Sequence, residues 1–76
     1  MENKFLAKIQ LQGYTELIDW WRALSGEGKM PVSYETTRQI VYTRKKITAD
    51  SVIKLMSLMG FSAEEIHQEL HTRQGQ

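Results

Sequence analysis

Apolar side chains in this chain recur three and four residues apart, and glycine interrupts each run before it grows long. Gly13 stops the first run, Gly26 and Gly28 with the single proline, Pro31, stop the second, and Gly60 stops a later one. Spacing of three and four lines residues along one face of an α-helix, whereas a half-buried strand alternates residue by residue. The only stretch rich in β-formers is Gln39-Ile40-Val41-Tyr42-Thr43, and no partner strand stands out for it. The expected fold class is all-α, built from short helices.

Five helices account for the pattern. Phe5, Leu6 and Ile9 share one face of a first helix that Gly13 ends. Thr15 is placed to cap the second, whose apolar stripe is Leu17, Ile18, Trp21 and Leu24. Trp20 widens that stripe. Adjacent residues on a helix project about 100° apart, so one indole enters the core, and Trp21 fits the stripe better. Trp20 is then left for the C-terminal helix, the loop or a second protein. Ser25 to Pro31 is the obvious loop. Ser33 opens a third helix over about residues 33–42 with Val32 as an apolar staple, burying Ile40 and Val41. After a basic connection through Lys46, Thr48 caps a fourth helix bearing Val52, Leu55, Met56 and Met59. Gly60 follows, where a left-handed residue is wanted. Ser62-Ala63-Glu64-Glu65 has the capping-box pattern, and Ile66 and Leu70 form the inner face of the fifth helix. One domain is expected over residues 1–72, with residues 73–76 as a flexible tail.

Size and residue content exclude several classes of function. A chain of 76 residues is too short for a deep two-domain catalytic cleft. With no cysteine it has no disulfide, no thiolate zinc site and no thiol nucleophile. Gly26-Glu27-Gly28-Lys29 lacks the full spacing of a phosphate-binding loop, and no strand precedes it. His67 and His71 stand four apart on one helical face. In His-Gln-Glu-Leu-His, however, the glutamate is one position away from where a zincin needs it, and no third ligand is evident. The reading is therefore not an enzyme, with no cofactor, no metal and no small-molecule substrate. No apolar run reaches the roughly 18 residues of a membrane span, and no secretion leader is evident, so a cytoplasmic protein without a membrane partner is expected.

Net charge is only +1, but its distribution is uneven. Arg38, Arg44, Lys45 and Lys46 fall together with no acidic residue among them. A localised positive patch is what phosphate binding requires.

From Val32 to Ile66 the ordered set of features resembles the second half of a lambda-repressor-type helix-turn-helix domain, the Cro/C1 or XRE family. The features are Val32-Ser33 opening a helix, threonines near its start, Ile40 toward its end, the basic turn, the amphipathic helix, and then Leu58-Met59-Gly60-Phe61-Ser62 with Ala63-Glu64-Glu65-Ile66. Gly13-Tyr14-Thr15 is similar to the family's opening. The chain departs from the pattern in a lengthened loop before the third helix, in Thr37 where an aliphatic residue is common, in Thr43 where a glycine often follows, and in bulky Trp20 and Trp21 where an alanine is usual.

The resemblance implies a compact five-helix domain whose third helix enters the major groove. On that resemblance Tyr34, Glu35, Thr36, Arg38 and Gln39 would face base edges, and Ser33, Tyr42, Arg44, Lys45 and Lys46 would hold phosphates. The implied function is that of a sequence-specific transcriptional regulator, a repressor or activator of bacterial or phage type. It would occupy a double-stranded DNA operator as a homodimer in the nucleoid of a bacterial or phage-infected cell. An alternative belongs to another class: a divergent domain that binds a protein partner, such as a polymerase or another regulator, through the Trp20/Trp21 region.

Overall fold

The computed structural model describes residues 3–43 and 45–74 and is all-helical over them. Its elements are α1 (Lys4–Leu11), α2 (Leu17–Gly26), α3 (Tyr34–Tyr42), α4 (Ala49–Met59) and α5 (Ala63–Gln74). They form one body of 33 × 25 × 20 Å. α1 packs on α2 and α4, α2 packs on α3, and the most extensive contact joins α4 to α5.

Local chemistry explains most of the helix boundaries. α1, α2 and α4 all end in the same way, with Gly13, Gly28 and Gly60 at φ of 96°, 74° and 96°. At α1, for instance, the amide of Tyr14 bonds the Ile9 carbonyl at 3.1 Å and that of Gly13 bonds Gln10 at 3.0 Å. This Schellman closure needs a residue at positive φ, which a side chain disfavours. At the other end of α1 the Asn3 side chain accepts from the amides of Phe5 and Leu6. Ser33 caps α3 by accepting from the Thr36 amide. The capping box of α5 forms in both directions: the Glu65 amide donates to the Ser62 hydroxyl at 3.2 Å, and the Ser62 amide donates to the Glu65 carboxylate at 3.0 Å. The Ser62 amide bond to this carboxylate, followed by hydrogen bonding from the Ser62 side chain, lowers the pKa of the Glu65 carboxyl.

Two cap assignments differ from expectation. α2 begins one residue later than Thr15 predicts: Glu16 is the N-cap and makes no side-chain cap bond. Thr48 does stand at the N-cap of α4, but its hydroxyl donates to the Ser51 hydroxyl at 2.9 Å instead of accepting a first-turn amide.

The core is Ile9, Trp20, Ile40 and the inner face of α4, Val52, Leu55, Met56 and Met59, with Phe5, Leu17, Phe61 and Ile66 around it. Trp20 is the largest fully buried side chain, at 0% exposure. This corrects the assignment of Trp21 to the core and of Trp20 to a surface. The physical reason lies in the phase of the stripe. Leu17, Trp20 and Leu24 satisfy helical spacing as well as Leu17, Trp21 and Leu24 do, and only the positions of α1 and α4 decide between them. Gln12 completes the choice, because its Oε1 accepts from the Trp20 indole at 2.9 Å while its Nε2 donates to the Met59 carbonyl at 3.1 Å. One amide thus ties the ends of α1 and α4 to the core indole. Gln12→Ala is expected to cost about 1–3 kcal/mol by stranding the indole N–H. A urea unfolding curve with a lowered midpoint and an unchanged slope would show it.

The tail is also corrected. α5 runs through Gln74, and Arg73 is only 4% exposed, so residue 73 belongs to the folded domain. Gly75 and Gln76 of the expected tail lie outside the described residues.

Candidate nucleic-acid interface

α3 divides cleanly by its period. Thr37, Ile40 and Val41 are buried at 0%, 0% and 4% exposure, which commits that side of the helix to the core. Thr37, though polar, satisfies its hydroxyl by donating to the Ser33 carbonyl at 2.9 Å. The opposite side carries Glu35, Arg38 and Tyr42, all exposed and spaced three and four apart along one line. Thr36 and Gln39 flank this line and are half-buried. Beyond the helix, Lys45 and Lys46 are exposed. Of the residues that the resemblance would give to DNA, then, Glu35, Arg38, Gln39, Tyr42, Lys45 and Lys46 stand on α3 or directly after it with surface to offer. Arg44, the remaining cation of the cluster, lies outside the described residues.

The other candidates have structural partners. Tyr34 is half-buried, and its ring packs edge-on against Trp21 at 5.8 Å between centroids and 63° between planes. Ser33 is exposed, but its hydroxyl both caps the helix and donates to the Thr36 hydroxyl at 3.1 Å. Arg38 meets the Glu35 carboxylate at 3.2 Å, with both side chains more than half exposed. An exposed pair of this kind is worth only about 0–1 kcal/mol, so either group can turn to a stronger partner.

Two residues hold α3 from its flanks in ways that sequence reading missed. At its start the Trp21 indole donates to the Val32 carbonyl at 3.1 Å, which ties the long loop down immediately before Ser33. Trp21 is therefore a loop anchor, and its partial burial follows from that contact. Near its end stands Arg73, whose Nε donates to the Glu69 carboxylate at 2.8 Å. Lys4 pairs with the other oxygen of Glu69. Burial pushes the Glu69 carboxyl upward, but the hydrogen bond and charge of Lys4, followed by the charge and hydrogen bond of Arg73, outweigh it and hold it below the usual carboxylate range. The signal for this pair was present in the sequence. Ile66, Glu69, Leu70 and Arg73 share one helical face, yet charged residues are by default assigned to solvent.

The groups on the outer side of α3 suit recognition by hydrogen bonding. Gln39 offers a donor and an acceptor side by side, Glu35 accepts, and Arg38 donates in a fork. Among the described residues no cluster of three His, Cys, Asp or Glu side chains could hold a metal ion, and His67 and His71 are exposed. No helix among them is long and apolar enough to cross a membrane. No family model matches the chain, and no curated protein or solved structure matches it.

Proposed function

We propose that this protein is a sequence-specific double-stranded DNA-binding transcriptional regulator with a lambda-repressor-like helix-turn-helix arrangement, in which α3 enters the major groove. The observation that carries the reading is the division of α3 itself. Its inner side is locked into the core, while its outer side presents Glu35, Arg38 and Tyr42 and leads straight to Lys45 and Lys46. A major groove about 12 Å wide admits one such helix, and the side chains at stake match the donors and acceptors of base edges. The lysines that follow are placed to meet the phosphate backbone. One small unit of this kind reads a short half-site, so a homodimer on paired half-sites is part of the proposal.

The alternative of a protein-binding domain anchored by Trp20 loses its anchor, because that indole is wholly within the core. Trp21 is engaged with Val32 and Tyr34.

The deciding experiment is titration of the protein against random and selected duplexes at two salt concentrations. A selected duplex is expected to bind at least 10³-fold more tightly than random sequence, and log affinity should fall by about 0.9 per phosphate contact per decade of salt. Equal and weak binding of all duplexes, seen only at low salt, would refute the reading.

A further inference from the structure

α3 is closed without a glycine. Thr43, which follows it, is extended at φ −129° and ψ 170°, whereas a glycine at positive φ closes α1, α2 and α4. The carbonyls of the last turn must then find donors elsewhere, since a buried carbonyl without one is costly. Thr43 serves Gln39 with both its amide and its hydroxyl. The next two carbonyls are served from the N-cap of α1 and from α5. Asn3 Nδ2 donates to the Val41 carbonyl at 3.0 Å. Arg73 Nη2 donates to the Ile40 carbonyl.

Arg73 does more than cap. Its Nη1 donates to the Lys45 carbonyl at 3.2 Å, so a single guanidinium bonds the last turn of α3, the following connection and, through Nε, the carboxylate of Glu69. A planar fork can serve three acceptors at fixed angles, whereas an ammonium is a point charge on a flexible stem. A cation is also favoured at the end of a helix where carbonyls point outward. Burying that charge demands a counter-charge, which Glu69 supplies four residues away on α5.

We propose that Arg73, oriented by Glu69 and assisted by Asn3, is the positioning residue of the DNA-binding face, locking the end of α3 to the Lys45–Lys46 connection. This rests on the DNA-binding reading above. A connection held in place before binding loses less conformational freedom on docking, so its phosphate contacts are worth more. It also keeps the lysines in constant register with Arg38 and Gln39 on the helix, so backbone contacts and base contacts engage together. The N-cap of α1 and the last turn of α5 thereby set the geometry at the end of α3.

The test uses Arg73→Met and Arg73→Lys in the full chain, at a temperature where circular dichroism shows each variant folded. Hydrogen exchange of backbone amides is followed in the free protein, and affinity is measured for the tightest duplex selected from a random pool by the wild type. Both variants are expected to bind that duplex about tenfold more weakly. The lysine variant should not be rescued by its retained charge. In both, exchange should speed up locally, from Thr43 to Ile47, while the amides of α2 and α4 keep their protection.

Wild-type affinity in both variants would overturn the proposal. So would a loss of affinity accompanied by uniformly faster exchange, because that pattern marks general destabilisation. A wild type that selects no duplex would refute the DNA-binding reading and with it the positioning role. A wild type that binds while the variants bind equally well would refute the positioning role alone.

Discussion

Trp20→Ala is expected to remove about 3–5 kcal/mol of folding stability, the usual cost of truncating a fully buried large aromatic. Domains hold about 0.05–0.15 kcal/mol per residue, so a chain of this length has roughly 4–11 kcal/mol in all. The substitution is therefore expected to take away a large share of the total, from about a quarter at the upper end of that range to all of it at the lower end. Two losses combine. The indole is the largest side chain with no solvent exposure, so its removal opens a cavity in the core. Its N–H is also the partner of Gln12, whose other end holds the Met59 carbonyl. The neighbouring Trp21→Ala should cost distinctly less, because that ring is only half-buried and its bond to Val32 anchors a loop. Urea unfolding of both variants, followed by helical circular dichroism, ranks the two. A Trp21 variant less stable than the Trp20 variant would mean that the indoles are exchanged relative to the structure described. In Trp21→Phe the one remaining indole should show blue-shifted emission that iodide does not quench.

The second large effect concerns binding. Lys45→Glu with Lys46→Glu is expected to weaken duplex binding at least 100-fold at 0.1 M salt while leaving the unfolding midpoint almost unchanged. Each phosphate contact contributes about 0.9 to the slope of log affinity against log salt, hence close to one decade at 0.1 M relative to 1 M. Losing two contacts removes about two decades, and reversing the charge adds repulsion. Stability should hold because both lysines are exposed and neither takes part in an ion pair among the described residues. Titrations at several salt concentrations would show the slope reduced by about 2 units. An unchanged slope would mean that the connection after α3 does not touch the phosphate backbone. The DNA face would then have to be sought elsewhere on the molecule.

Local signals were the legible part of this fold. Ser33, the capping box at Ser62 and Glu65, and the stops at Gly13 and Gly60 act over three or four residues, and each is found where its chemistry predicts. The inner face of α4 likewise follows directly from its spacing, since Val52, Leu55, Met56 and Met59 are all buried. The second helix was less legible. Its start slipped from Thr15 to Glu16, and its two tryptophans fit two equally regular stripes.

The candidate site divides along the same line. The exposure of Glu35, Arg38 and Tyr42 on α3 follows from the burial of Ile40 and Val41, both of which periodicity anticipates. The supports at each end of α3 depend on distant partners: Trp21 with Val32, Asn3 with Val41, and Arg73 with Ile40 and Lys45. Asn3 and Val41 are 38 positions apart, and Arg73 and Ile40 are 33 apart. No local pattern reports a bond of that range.

By itself, then, the order of residues determined that the chain is helical, where most of its helices stop, and which side of α3 turns inward, because caps, glycines and apolar spacing act within a turn or two of the backbone. Only the tertiary structure decided which indole fills the core and what closes the end of α3. Those outcomes depend on how five helices share one small interior, and on a charged pair, Glu69 and Arg73, whose burial is tolerable only once the carbonyls of α3 and its connection stand within reach.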